Sequence, residues 1–171
     1  MKKAFKVINE LKKKSLIDAY AIGGGIATLF YIEPFLTYDL DVFVILSEKM
    51  EKKKLNSLST VFDYLKKKGY SFRREHIIIE GIPVQFIPAD DLEEEAVRNA
   101  REIEYEKIKT RVITPEYLIV ILLRVGRKKD VDKIEKLLEQ TEIERKKLNE
   151  ILKRYSLMEK FKLLRKRIYG K

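Results

Sequence analysis

Gly23-Gly24-Gly25-Ile26-Ala27, followed after a spacer by Thr37-Tyr38-Asp39-Leu40-Asp41-Val42-Phe43-Val44, is the stretch on which the reading of this chain turns. Residues 19–22 are short and apolar, which suits a strand. Residues 40–46 (LDVFVIL) are β-prone and apolar on both faces, which suits a strand buried from both sides. Residues 26–32 fit a short helix that stops before Pro34, because a residue preceding proline is pushed out of the helical region. The order is strand, glycines, helix, strand. Asp39 and Asp41 stand two apart at the second strand, so both carboxylates point to one face. Like charges side by side are costly unless a cation lies between them. A hard divalent ion, Mg²⁺ or Mn²⁺, takes carboxylate oxygens together with substrate phosphates. The glycines open a helix, where free N–H groups favour a phosphate. Taken singly, a glycine triplet is more often a tight turn, and Asp-x-Asp is common at strand ends. Together and in this order they are far more specific.

Outward from this stretch, residues 3–14 carry Ala4, Phe5, Val7, Ile8 and Leu11 at helical spacing. Leu55, Leu58, Val61, Phe62 and Leu65 stripe a second helix that runs to Lys68 and stops at Gly69. Residues 70–79 and 82–87 read as two strands around Glu80-Gly81, and a two-residue turn sets His76 opposite Gln85. Residues 91–106 read as an acidic helix and 108–113 as a short strand. Thr114-Pro115 opens a helix to Val125, and a further helix runs over 129–140. Thr141-x-x-Glu144 and Ser156-x-x-Glu159 read as capping boxes for two last helices. The expected fold is α/β (α+β): a small mixed sheet with flanking helices over residues 1–113, and a helical region over 114–171 that shares or adjoins its core.

Composition narrows the class. The 171 residues hold 37 Lys+Arg against 27 Asp+Glu, one His and no Cys. That excludes a disulfide scaffold, a zinc ribbon and a thiol nucleophile, and any His-dependent chemistry must run through His76. The longest nearly uncharged stretch, 19–38, contains the glycines, Glu33 and Pro34, and does not read as a membrane span. The N-terminus lacks the apolar core of a signal peptide, so a cytoplasmic protein is expected. Abundant Lys, Glu and Ile with two Gln and four Asn lean towards a heat-adapted source. The net charge of +10 is uneven: 15 basic and 10 acidic residues over 1–86, 11 and 15 over 87–144, and 11 and 2 over 145–171. The basic C-terminal helices suit a polyanion such as RNA, or are simply a solvated face.

A phosphate cradle beside an acidic pair is what nucleotidyl transfer needs. Gly24-Gly25-x-Ala27, then Thr37-x-Asp39-x-Asp41 and Val42-Phe43-Val44, resembles the signature of the nucleotidyltransferase fold superfamily. The likeness is to its minimal members and to the toxin-like group related to abortive-infection proteins. Ile82-Pro83-Val84-Gln85-Phe86, Pro115-Glu116-Tyr117-Leu118 and Arg127-Lys128-Lys129-Asp130 look like later landmarks, so the resemblance covers about residues 19–140. It implies that Gly24 and Gly25, with Thr37, hold the triphosphate of an NTP, and that Asp39 and Asp41 ligate Mg²⁺. It also implies that Lys129 contacts phosphate, that Asp130 or Asp132 assists, and that an antitoxin partner goes with a toxin role. Two positions depart from the pattern: Phe35 stands where many relatives have arginine, and Gln85 where established transferases have a third carboxylate. His76, beside Gln85, is either a hydrogen-bonded sheet residue, the commoner use, or a substitute base or ligand. The alternative to an enzyme is a nucleotide- or nucleic-acid-binding module that kept the fold and lost turnover.

Overall fold

The computed structural model describes residues 1–47 and 58–170, so Leu55 and the start of the helix expected there lie outside the described residues. In chain order the elements are α1 (Lys2–Lys13), β1 (Ile17–Ile22), α2 (Gly24–Thr28), β2 (Leu40–Leu46), α3 (Ser59–Lys67), β3 (Ser71–Arg73), β4 (His76–Ile79), β5 (Ile82–Pro88), α4 (Asp91–Arg98), β6 (Arg101–Tyr105), β7 (Ile108–Val112), α5 (Pro115–Val125), α6 (Lys128–Gln140), α7 (Arg145–Arg154) and α8 (Met158–Tyr169). The seven strands form one mixed sheet in the order β3-β4-β5-β2-β1-β7-β6. β1 and β2 are antiparallel, whereas β2 is parallel to β5 and β1 to β7. The expected mixed α/β architecture is what the chain adopts. Among the described residues no helix is long and apolar enough to cross a membrane.

The chain divides into two compact units, one of residues 1–26 and 36–113, the other of residues 27–35 and 114–171. In the first unit the period-2 alternation of the strands sets two unlike sheet faces. Leu40, Val42 and Val44 of β2 share one face, by register, with Val84 and Phe86 of β5, Ile77 and Ile79 of β4, and Tyr20 and Ile22 of β1; all are buried. The amphipathic α1 covers this face: the Tyr20 hydroxyl donates to Asn9 Oδ1 of the helix at 2.7 Å and lies 3.1 Å from Thr110 Oγ1 of β7. On the other face Asp41, Gln85 and His76 are only half-buried. Polar side chains can stand there without the desolvation cost they would meet on the first face.

Residues 27–35, placed with the sheet by the sequence reading, group with the helices because two of them bond to the end of α6. Thr141 Oγ1 donates to the Tyr31 carbonyl at 2.8 Å, and the Glu33 amide donates to Gln140 Oε1 at 2.9 Å. The same bond explains why Thr141 does not open a helix: its hydroxyl is taken, and α7 starts three residues later behind Glu144. Ser156 does not cap α8 either. It lies at φ 56°, and Leu157 precedes the helix without a side-chain cap, while Glu159 pairs with Lys162 at 2.7 Å.

Three other expectations need correction. The helix after the glycines covers Gly24–Thr28 and not 26–32. The run 70–79 is a hairpin of β3 and β4, turning at Arg74 (φ 55°) and Glu75. The acidic helix of 91–106 ends at Arg98, and Arg101–Tyr105 pairs with β7 across a two-residue turn, Glu106-Lys107, with positive φ at both residues. A primed turn of this kind matches strand twist, but it is usually written with Asn and Gly.

A buried carboxylate ties the helical unit together. Glu116, in the first turn of α5, accepts from the Glu144 amide at 3.2 Å and from the Thr114 hydroxyl at 2.9 Å, and lies 3.3 Å from Lys147 Nζ of α7. Burial alone would raise its pKa. The backbone bonds from its own amide and that of Glu144, then Thr114 and Lys147, outweigh burial and hold it below the ordinary 4.5. A carboxylate with a depressed folded-state pKa contributes stability that is present above 4.5 and lost as pH falls through the folded value. Glu116→Gln is therefore expected to cost about 1–3 kcal/mol at pH 7. Urea unfolding at pH 7 and at about pH 3.5 should show the gap between variant and parent narrowing in acid.

Candidate active site

The site is built from the way three glycines meet β2. The Gly23 amide donates to the Asp41 carbonyl at 2.9 Å, fixing the bend after β1 against the start of β2. A Cβ at Gly23 would fall 2.2 Å from the Phe43 ring, so no other residue fits this crossing. Gly24 has φ +54°, and a Cβ on it would lie 1.7 Å from Asp41 Oδ2. A Cβ at Gly25 would lie 2.3 Å from the Thr37 hydroxyl. Gly23 thus makes room for an aromatic ring, Gly24 and Gly25 each for a polar group, and the triplet brings Asp41, Thr37, Gly24 and Gly25 into one place. Turn geometry alone would require only the positive φ of Gly24; the crowding at all three positions is the further finding.

Cross-strand register extends the site sideways. Asp41 pairs with Gln85 on β5, Gln85 with His76 on β4, and His76 with Arg73 on β3. Register partners share a face, so these four side chains form one row beginning at the glycine bend. His76 and Gln85 are opposite one another, as the two-residue turn requires. Asp39 immediately precedes β2, and its Oδ2 lies 3.9 Å from His76 Nε2, which places its carboxylate on the face that carries the row. The place of Arg73 in this row is not foreseen in the sequence, although the Arg74-Glu75 turn sets Arg73 opposite His76 once 70–79 is read as a hairpin.

Among the described residues no three His, Cys, Asp or Glu side chains gather closely enough to hold a metal unaided. Asp39 and Asp41 nevertheless offer hard oxygen donors on a half-exposed face, and Gly24 lets the Asp41 carboxylate pack against its backbone where any Cβ would clash. A Mg²⁺ ion characteristically binds one or two carboxylates and completes its shell with water and substrate phosphates. The donor set fits that kind of site.

The residues expected from the helical unit lie towards the N-terminal end of α6. Lys129 is exposed in the first turn of α6. Asp130 is fully buried: it accepts from Arg127 Nε at 2.7 Å, Arg127 Nη2 at 3.2 Å and the Arg127 amide at 3.2 Å, with Lys133 Nζ 3.9 Å away. Its carboxylate caps the start of α6 and anchors the Arg127 guanidinium. Phe35 lies under the ammonium groups of Lys133 and Lys136, at 5.9 and 6.0 Å. Two nearby aromatics are engaged in packing: the Tyr64 hydroxyl donates to Glu10, and Phe72 meets Phe62 edge-on at 5.8 Å.

A family model described as "Nucleotidyl transferase of unknown function (DUF2204)" matches residues 1–168. A comparison with curated proteins found no match. Among solved structures, an antigenic nucleotidyltransferase-like protein from Paracoccidioides brasiliensis superposes with a TM-score of 0.55 at 17% identity, over 93% of this chain and 90% of that one. The antibiotic-resistance factor ANT(2″)-Ia in solution superposes at 0.51 and 14% identity, over 99% and 97%. A crystal structure of ANT(2″)-Ia with adenylyl-2″-tobramycin superposes at 0.50 and 15%, over 91% and 95%. At these identities the likeness is one of fold.

Gly24→Ala and Gly81→Ala form an informative pair, since both glycines have positive φ but nothing lies within 4 Å of a Cβ at Gly81. Each should lose about 1–2 kcal/mol from the left-handed backbone. Only Gly24→Ala should lose more, and only it should abolish nucleotide binding measured by calorimetry, because its methyl must displace the Asp41 carboxylate.

Proposed function

The chain belongs to the nucleotidyl transferase family whose model spans residues 1–168, and from that premise we propose that it moves a nucleoside monophosphate from an NTP to an acceptor hydroxyl with the help of Mg²⁺ or Mn²⁺. The observation that carries this reading is the seating of the Asp41 carboxylate against Gly24 and of the Thr37 hydroxyl against Gly25. Gly24 and Gly25 add no side chain of their own to the bend, and in this reading a triphosphate approaches the main chain there beside Asp41 and Thr37. Thr37 donates to a phosphate oxygen, and Gln85 supplies a neutral amide next to Asp41. Asp39 and Asp41 would hold the divalent cation, which supplies charge neutralisation on the phosphates and lowers the pKa of the attacking hydroxyl. In the transfer, the acceptor oxygen forms a bond to the α-phosphorus, the bond from that phosphorus to the oxygen leading to the β-phosphate breaks, and pyrophosphate leaves. The hydroxyl proton passes to solvent across the half-exposed sheet face.

Lys129 is the phosphate contact that the family resemblance contributes from the helical unit. Asp130 has its buried pairing with Arg127 to maintain and acts, in this reading, by holding the start of α6 in place. The acceptor is an RNA end, a protein hydroxyl or a small molecule. The adenylylated compound held by a neighbour of the same fold supports the general form of the reaction. The toxin-like resemblance adds an antitoxin chain to the partners to be sought.

A second reading rests on Gln85. A neutral amide in register with Asp41 leaves the row without a third carboxylate, which favours a module that binds nucleotide without turnover. Incubation with α-labelled NTPs, Mg²⁺ or Mn²⁺ and total RNA separates the two. Under the enzymatic reading, label is transferred, and Asp39→Asn/Asp41→Asn lowers the rate by about a thousandfold. Nucleotide binding with no transfer at any metal would overturn it in favour of the module.

A further inference from the structure

α7 and α8 carry a concentration of charge that the nucleotide site does not use. Residues 145–170 hold ten Lys and Arg against Glu150 and Glu159. Over residues 1–144, by contrast, Lys and Arg together balance Asp and Glu, 26 against 25, as surface ion-pair networks require. Here they do not. Lys147 is committed to the buried Glu116 and Lys160 donates to the Arg124 carbonyl, whereas Lys162 meets Glu159 only in an exposed i,i+3 pair that a phosphate can displace. Arg145, Lys146, Lys153, Lys166 and Arg167 are exposed, and none of them makes an ion pair among the described residues.

Helical geometry gathers these charges outward. Leu148, Ile151 and Leu152 of α7, with Phe161 and Leu164 of α8, are buried in the helical unit. At 100° per residue, Lys146 and Lys153 fall opposite the buried stripe of α7, and Lys162 and Lys166 opposite that of α8. The two helices, of 10 and 12 residues, are about 15 and 18 Å long. Over such a length a nucleic-acid duplex presents a phosphate about every 1.7 Å of axis, a far denser charge than ordinary protein surfaces offer. A lipid surface is a poorer match, because an interfacial helix needs an apolar face for the membrane, and both helices spend theirs in the core.

We propose that the outward faces of α7 and α8 bind the phosphate backbone of a nucleic acid, through Lys146, Lys153, Lys162, Lys166 and Arg167. The inference does not depend on catalysis at Asp39 and Asp41, so it can fail or hold independently of the transfer reading.

The test is fluorescence anisotropy with a labelled 24-nucleotide RNA, the same sequence as DNA, and a salt series from 50 to 300 mM. Log affinity should fall linearly with log salt, with about 0.7 of slope for each single-strand phosphate contacted. The variant Lys146→Glu/Lys153→Glu/Lys162→Glu/Lys166→Glu should bind at least about a hundredfold more weakly at low salt and lose about 3 of slope. Equal binding of RNA and DNA assigns the contact to the shared backbone, and preference for RNA adds the 2′-hydroxyl; both support the proposal. Reversal of four exposed lysines on the other unit, Lys6, Lys12, Lys13 and Lys67, should leave slope and affinity nearly unchanged. An unaltered slope in the α7–α8 variant, an equal loss in the control variant, or equally tight binding of polyglutamate or of 1:1 phosphatidylcholine–phosphatidylglycerol vesicles would overturn it. Thermal melts of both variants distinguish lost binding from lost folding.

Discussion

The candidate site depends on one close approach: a carboxylate packed against a backbone that has no Cβ. Asp41 lies over Gly24, and the space between them is smaller than a methyl group. This single juxtaposition orients the acid and sets where the neighbouring strands deliver their own polar groups. The antiparallel pairing of β1 and β2 fixes the approach, since the Gly23 amide bonds to the carbonyl of Asp41 itself. The parallel step to β5 then adds Gln85 and the antiparallel step to β4 adds His76. A local choice of glycine thereby becomes a row of polar side chains across four strands.

The arrangement of apolar residues explains why that row is tolerated. One sheet face is sealed by α1 and filled with Leu40, Val42, Val44, Val84, Phe86, Ile77 and Ile79. With the core secured there, the alternate positions of the same strands can carry charge at half exposure. The carboxylates that are deeply buried, Asp130 and Glu116, belong to the helical unit and are satisfied differently, by Arg127 in one case and by two amides, Thr114 and Lys147 in the other. Breaking such a group's partners leaves a buried charge uncompensated, so the integrity of the helical unit depends on both pairings.

Much of this was legible in the amino-acid order. The glycine–aspartate stretch, the β-prone LDVFVIL run and the Glu80-Gly81 turn each have a local physical cause, and the pairing of His76 with Gln85 follows by counting from that turn. What escaped was decided at long range. Arg101–Tyr105 is rich in Glu and Arg because it is an edge strand, where charge discourages further pairing, and its turn lacks the expected Asn-Gly. Thr141 looked like a helix cap until its hydroxyl found the Tyr31 carbonyl, 110 residues away in sequence. The enclosure of Asp130 by Arg127 also went unread, although an i,i+3 pair at a helix start is itself a capping pattern.

The central claim is that Asp39 and Asp41 share a cation with an anionic chain lying along Gly24 and Gly25. Crystals grown with Mn²⁺ and a non-hydrolysable NTP analogue test it most directly, through the anomalous signal of the metal. The account predicts a peak within coordination distance of both carboxylates, with the triphosphate against the backbone of the glycine bend. A peak elsewhere, or none while the analogue is bound away from the bend, would contradict it.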